Sequence, residues 1–202
     1  MEDLTLFNIT LVLFLIMDPV GNLTSYLGMV NEIDPKRQHW IVIREMFIAL
    51  IVMLFFNYLG EFIFDFLDLS ETTVRLSSGV ILFLIAIKIL FTARDSPRAN
   101  LPKGEPFIFP LAVPLIAGPA LLATIMLYAH LEASQSIMII AIFISWFLTS
   151  LIHYFAGPVK RVLGTNGLLA CERLIGMILV LVAVQRFLEG ILLFWATHPN
   201  PA

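Results

Sequence analysis

Six long runs of apolar residues take up most of this 202-residue chain. They consist mainly of Leu, Ile, Val, Phe and Met, without the every-second-residue alternation that is typical of barrel strands. A helix needs about 20 such residues to cross a bilayer. The runs occupy residues 4–30, 41–59, 76–91, 107–131, 137–156 and 168–194. The pattern therefore predicts an all-α membrane protein with six transmembrane helices.

The overall composition supports the same class. The chain is 59% hydrophobic and 13% charged, whereas soluble domains carry about 25% charged residues. Glu2 and Asp3 stand where a signal peptide would have basic residues, so we expect the first run to remain as a span. The single cysteine, Cys171, excludes an internal disulfide. We expect the lipid bilayer as a partner and no nucleic acid.

Lysine and arginine are concentrated in alternate connections between the runs. The first, third and fifth connections hold Lys36, Arg37, Arg44, Arg94, Arg98, Lys103, Lys160, Arg161 and Arg173. The second connection offers only Arg75, and the fourth has no basic residue. By the positive-inside rule the odd connections are cytoplasmic, so both termini are expected to be periplasmic.

The two halves of the chain resemble each other. At an offset of 100, Leu11, Leu15, Ile16, Pro19, Thr24 and Leu27 match Leu111, Leu115, Ile116, Pro119, Thr124 and Leu127. At an offset of 97, Gly79, Ile81, Leu82, Leu84 and Ala86 match Gly176, Ile178, Leu179, Leu181 and Ala183. Because each half has an odd number of spans, the second copy must be inverted. We predict three-helix repeats at residues 1–92 and 107–202, joined by a cytoplasmic linker at 93–106.

Two helix breaks interrupt corresponding runs, at residues 18–22 (DPVGN) and 117–120 (AGPA). Asp18 before Pro19 is typical of an N-cap followed by proline at the first helical position. Gly118 before Pro119 repeats this arrangement, so the first and fourth helices are each expected to be broken. The breaks lie about 21 Å and 18 Å into their runs, from opposite faces. In a core about 30 Å thick they should meet near the middle.

Paired breaks at this depth suit a small zwitterion. Helix N-termini attract a carboxylate, and Asp18 can hold an ammonium group. The small residues around both breaks leave room only for a small side chain, which favours a small neutral amino acid. The predicted substrate-binding residues are Asp18, Pro19, Gly21, Asn22, Thr24, Ala117, Gly118, Pro119, Ala120 and Thr124.

Four stretches resemble the MarC family of bacterial inner-membrane proteins. They are LFLIMDPVGNL, FPLAVPLIAGPALLATIML, RLSSGVILFLIAIKILF and ERLIGMILVLVAVQRFLEGI. The resemblance implies a six-spanning protein of the bacterial inner membrane, similar to small neutral amino acid transporters. It also implies that Asp18, Pro19, Gly21 and Asn22, with Gly118 and Pro119, occupy the family's motif positions. Ala120 stands where the family often has Gly or Thr, which removes one hydrogen-bonding or flexible position.

Other polar residues in the runs have less specific interpretations. Arg75 and the Glu172-Arg173 pair begin corresponding runs, either as a latch between the repeats or as interfacial anchors. Asn57 and His153 either face the pathway or form interhelical hydrogen bonds. Arg44 and Glu45 stand early in the second run, so its membrane part should begin near Met46 or be tilted.

An enzyme is disfavoured by the sequence. Its four histidines are scattered, without an HExxH motif, and no phosphate-binding loop ending in Gly-Lys-Ser/Thr is present. We therefore expect no catalytic residue, no metal and no cofactor, with coupling to H+ or Na+ left open. The prediction is a secondary transporter of glycine or alanine that works by alternating access. The alternative is a channel or a non-catalytic membrane subunit.

Overall fold

The fold was analysed in a computed structural model, which describes residues 6–30, 33–68, 70–91, 111–131 and 134–197. Within these ranges all regular structure is helical. The helices are α1 Leu6–Met17, α2 Pro19–Val30, α3 Pro35–Leu67, α4 Glu71–Phe91, α5 Pro119–Leu131, α6 Gln135–Tyr154 and α7 Ala156–Thr197. A π-helical segment, Leu111–Ile116, precedes α5. The predicted linker at 93–106 lies outside the described residues.

Five helical segments in the described ranges are long and apolar enough to cross a membrane. They are Leu6–Val30, Lys36–Gly60, Thr72–Phe91, Gln135–Tyr154 and Ala156–Thr197. Of the run at 107–131, the structure describes residues 111–131, which contain the π-helical segment and the 13-residue α5. The all-α membrane class is therefore confirmed, and both helices predicted to be broken are interrupted at the expected positions.

Two helices extend beyond their apolar runs. The 33 residues of α3 start before and end after the run at 41–59, and the 42 residues of α7 include a stretch before residue 168. Helical hydrogen bonding continues outside the apolar region, so hydropathy marks the membrane-embedded part and not the helix ends. A kink at Gly164 (φ 63°) separates the first turns of α7 from its apolar part. That φ is one that glycine adopts without strain.

The core lies between the broken helices and the two long helices beside them. The main packing pairs are α1 with α6, α3 with α5, α3 with α6, and α4 with α7. Large apolar side chains also remain exposed on the outer surface, as expected where helices face lipid. Examples are Phe55, Phe62, Phe66, Phe147 and Leu181.

Two glycines let α4 and α7 approach closely. A Cβ at Gly79 would lie 2.7 Å from the backbone nitrogen of Phe187. A Cβ at Gly176 would lie 3.2 Å from the backbone nitrogen of Leu90. The two contacts are equivalent between the halves, because Gly79 and Gly176 are 97 residues apart, and so are Leu90 and Phe187. Small residues at such crossings are a common basis of helix packing in membranes.

Helix starts in the two halves are also equivalent, at a spacing of 100 residues. The helices α2 and α5 begin at Pro19 and Pro119, and α3 and α6 begin at Pro35 and Gln135. Exchanging the halves converts the α1–α6 contact into that of the π-helical segment with α3, and the α3–α5 contact into that of α6 with α2, and all four contacts are present. The similarity found in the sequence thus recurs in helix boundaries and in contacts.

The α4–α7 contact gives a stability prediction. Gly79→Ala should reduce the free energy of unfolding by about 1–3 kcal/mol, because the new methyl group meets backbone that cannot move independently. Gly176→Ala should cost less, since its nearest backbone atom is farther away. Thermal unfolding in detergent measures both effects.

Gly157→Ala is the matched control, because a Cβ there meets no atom within 4 Å. Equal stability of the Gly79→Ala and Gly157→Ala proteins would contradict the close helix approach.

Candidate functional site

The first break is centred on Asp18, between α1 and α2. Asp18 has a φ of 44°, a left-handed conformation that aspartate adopts more readily than most residues. Its Oδ1 accepts a hydrogen bond from the backbone N–H of Gly21 at 3.1 Å. This is the predicted N-cap, with Pro19 at the first helical position. The carboxylate is buried, with 2% of the residue exposed.

Gly21 makes room for that carboxylate. A Cβ added to Gly21 would overlap the Asp18 side chain. The carboxylate therefore lies directly on the first turn of α2. Position 21 requires glycine because of this contact with Asp18, and not because of its backbone angles.

Asn22 joins the two breaks. Its Nδ2 donates to the backbone oxygen of Met17 at 2.8 Å and to that of Leu115 at 3.0 Å. Met17 ends α1, and Leu115 belongs to the π-helical segment before the second break. The Oδ1 of Asn22 is buried and has no hydrogen-bond partner within the described part of the chain. The two breaks therefore meet inside the bundle, as the helix lengths predict.

The second break has an irregular approach and no side-chain cap. Val113 leaves the helical region (φ −133°, ψ 127°), as expected for a residue before proline. The N–H of Ala117 then bonds the oxygen of Ala112 at 2.8 Å. The next helix, α5, starts after Gly118, which has no side chain that could cap it. Ala117 is buried, whereas Gly118 is half-buried and Pro119 is exposed.

The remaining predicted residues, Thr24, Ala120 and Thr124, follow the breaks in α2 and α5. Thr124 is buried in α5, where its hydroxyl donates to the oxygen of Ala120 at 3.0 Å. Thr24 lies in α2, but its side chain is outside the described part of the structure. Ala120 is half-buried at the start of α5. These three lie within the first two turns after the breaks.

Arg75, Glu172 and Arg173 belong to the α4–α7 pair. An Nη1–Oε2 distance of 3.9 Å joins Arg75 to Glu189. Glu172 is buried and Arg173 is exposed. The α4–α7 register places Arg75 at one end of this helix pair and Glu172 near the other. The register thus separates Arg75 from Glu172.

Helix α6 contributes Thr149, which was not predicted from the sequence, and His153, whose role the sequence left open. The hydroxyl of Thr149 donates to the sulfur of Met17 at 3.2 Å, beside the first break. His153, one turn further, is buried and donates from Nδ1 to the oxygen of Thr149. The spacing of Ser145, Thr149 and His153 by four residues was the available signal, because it aligns all three on one helix face.

Glu45, near the start of the apolar run at 41–59, is fully buried (0% exposed). Its Oε1 lies 2.8 Å from Nη2 of Arg44. An ionisable residue that is buried in a candidate spanning segment is a functional candidate. Within the described ranges, no group of three His, Cys, Asp or Glu residues could hold a metal.

Comparison with known proteins identifies the class. The MarC family of integral membrane proteins matches the chain over residues 4–194. The chain therefore belongs to the MarC family.

Relatives in bacteria support that membership. The UPF0056 inner membrane protein YhgN of Escherichia coli (strain K12) is 48% identical over 181 residues, covering 89% of this chain and 92% of the relative. A UPF0056 membrane protein of Buchnera aphidicola subsp. Schizaphis graminum is 45% identical over 183 residues, covering 90% and 93%. One from Chlamydia muridarum is 28% identical over 191 residues, covering 93% of each. No solved structure matches the chain.

Two glycines of α2 provide a direct test of the first break. Gly21→Ala should lower the free energy of unfolding by about 1–3 kcal/mol, because its methyl group displaces the capping carboxylate of Asp18. Gly28→Ala should be neutral or stabilising by up to about 1 kcal/mol, because a Cβ there meets nothing within 4 Å.

Denaturant or thermal unfolding of the purified proteins in detergent measures this difference. A Gly21→Ala protein as stable as Gly28→Ala would contradict the position of the Asp18 carboxylate.

Proposed function

We propose that this protein is a secondary transporter of small neutral amino acids, such as glycine or alanine. The observation that carries the proposal is the double hydrogen bond of Asn22 to Met17 and Leu115. It supports a polar site that combines both breaks inside the membrane. Buried polar groups in spanning segments are expensive, and they are typical of substrate pathways.

The two breaks differ in a way that fits a zwitterion. Asp18 supplies a buried carboxylate at the first break, which suits an ammonium group. The second break has no acid, and the N-terminus of α5 favours a carboxylate through its backbone N–H groups and helix dipole. Asn22 adds an oxygen that lacks a partner in the described part of the protein. Ala117, Gly118 and Ala120 limit the substrate to a small side chain.

Alternating access follows from the relation between the halves. We propose that residues 1–92 and 107–202 are inverted three-helix repeats that rock against each other around the breaks. The helix starts that recur after 100 residues support this arrangement, and so do the packing pairs: α1–α6 has its equivalent in the π-helical segment with α3, and α3–α5 in α6 with α2. So does the reciprocal pair of glycine contacts between α4 and α7.

The orientation is part of the proposal. The family and its relatives indicate a multi-pass protein of the inner membrane. The excess of Lys and Arg in the odd connections supports cytoplasmic positions for them and periplasmic termini. Arg75, Glu172 and Arg173 then act as interfacial anchors near the two ends of α4, and the separation of Arg75 from Glu172 argues against a direct latch between them.

Glycine and alanine flux into proteoliposomes tests the function. Asp18→Asn and Asn22→Ala should each reduce substrate flux by at least about tenfold, because each removes a polar contact worth about 1.5 kcal/mol or more. Wild-type flux should saturate with substrate concentration.

Asn57→Ala is the matched control. It removes another fully buried amide, which donates to Gln135 at 2.8 Å and links α3 to α6 away from the breaks. Wild-type flux in the correctly folded Asp18→Asn and Asn22→Ala proteins would contradict the proposed site. Flux that rises linearly without saturation would favour a channel.

A further inference from the structure

Helices α3 and α6 run antiparallel and contact each other at two levels. The ring of His39 lies 4.8 Å, centroid to centroid, from that of Tyr154. Seven residues further along α3, the backbone oxygen of Met46 accepts a hydrogen bond from Nε1 of Trp146 at 2.8 Å. Seven residues of helix correspond to about 10 Å. The two helices are therefore joined at both ends of a stretch about 10 Å long.

Between these two contacts the helices leave a cavity of about 230 Å³. Its lining includes Val42 and Met46 of α3, with Trp146, Ser150 and Tyr154 of α6. The register of the two contacts places Val42 opposite Ser150. Because both side chains are small, they do not fill the space between their larger neighbours.

The cavity opens on the surface that faces lipid. Three further lining residues, Ile43, Phe147 and Leu151, are exposed. Protein interiors contain few voids larger than a water molecule, so we expect apolar groups from outside to occupy this space. One leaflet of a bilayer core is about 15 Å deep. A stretch of about 10 Å therefore matches about two-thirds of the depth that one acyl chain covers.

The surroundings of the His39–Tyr154 contact are basic. Residues 33–47 and 146–163 contain two acids, Asp34 and Glu45, and five basic residues, Lys36, Arg37, Arg44, Lys160 and Arg161. Both acids have partners within this set, because Asp34 accepts the backbone N–H of Lys36 and Glu45 pairs with Arg44. The excess of positive charge favours an anionic group at this end of the cavity.

Two lysines and two aromatic residues mark this end as a headgroup region. Lys36 is exposed one turn before His39 on the same face of α3, and Lys160 is exposed six residues after Tyr154. Trp40 is also exposed here, and Trp and Tyr are typical of the membrane–water interface. Basic pockets between spanning helices on the cytoplasmic side are known to bind anionic lipid headgroups.

The side chains of this surface disfavour a second copy of the chain as the occupant. Close contacts between membrane helices use small residues, as Gly79 and Gly176 do where α4 meets α7. The surface around the cavity instead presents bulky side chains, among them Ile43, Phe47 and Phe147. A flexible acyl chain can enter between such side chains, whereas a helix cannot approach closely.

We propose that the α3–α6 cavity binds one acyl chain of an anionic phospholipid, with its headgroup beside Lys36 and Lys160. The hydroxyl of Ser150 has no hydrogen-bond partner within the described residues, so it is available to an ester oxygen of the lipid. The bound chain fills the space between the two contacts and holds α3 against α6. This site does not involve the helix breaks, and the proposal is independent of the transport function.

Quenching of tryptophan fluorescence by brominated acyl chains tests the site in lipid vesicles. The chain has three tryptophans, so a Trp40→Phe/Trp195→Phe protein reports on Trp146 alone, at the inner end of the cavity. Brominated phosphatidylglycerol, diluted into unlabelled phosphatidylcholine, should half-quench Trp146 at a mole fraction at least about fivefold lower than brominated phosphatidylcholine. One basic residue beside an anionic headgroup contributes about that factor.

A Trp40→Phe/Trp146→Phe protein is the matched control. Its remaining tryptophan, Trp195, is exposed near the end of α7, and both brominated lipids should quench it at similar mole fractions. In the protein that reports on Trp146, adding Lys36→Gln and Lys160→Gln should remove the preference for phosphatidylglycerol. Adding Arg173→Gln should keep it, because this exposed base lies nine residues beyond the kink at Gly164.

Ser150→Phe, in the same background, places a ring inside the cavity and should also abolish the preference. If this variant does not fold, the lysine variants decide the question. Equal quenching of Trp146 by both lipids would overturn the proposal. So would a preference that persists in the lysine variants and in Ser150→Phe. Failure of either lipid to quench Trp146, together with a cross-linked dimer in the vesicles, would assign the cavity to a second copy and overturn it as well.

Discussion

The side-chain amide of Asn22 bonds two backbone oxygens that belong to different broken helices. In a bilayer core, carbonyl groups released by a helix break have no water to bond, so the protein must supply donors. Asn22 supplies them for Met17 and Leu115, while Asp18 receives the N–H of Gly21 in the next turn. This set of bonds allows two interrupted helices to lie together within the bundle. The site proposed for a zwitterion depends on them.

The helices around the breaks show the similarity between the two halves of the chain. Gly79 and Gly176 bring α4 and α7 into close contact at reciprocal positions. The polar residues of α6, including Thr149 beside Met17, complete the wall of the first break. Similar halves that meet at two helix breaks are typical of many secondary transporters, which is why we propose alternating access.

Sequence alone could predict features that depend on local physics. Apolar length predicted the five candidate spans of the described ranges, Asp18 before Pro19 predicted the N-cap, and the spacing of the breaks predicted that they meet. Features that depend on tertiary neighbours were missed. Glu45 looks like an interfacial acid beside Arg44, and its burial depends on how α3 packs against other helices. Likewise, the contact of Thr149 with Met17 joins residues 132 apart, and no local pattern predicts it.

The central claim is that both breaks bind a single small zwitterion, with Asp18 at its ammonium group. Solid-state NMR of the reconstituted protein can measure the dipolar coupling between ¹⁵N-labelled glycine and the ¹³C-labelled side-chain carboxyl carbon of aspartate. The account predicts a short-range coupling that disappears in the Asp18→Asn protein when glycine still binds. Bound glycine without this coupling in the wild-type protein would contradict the account.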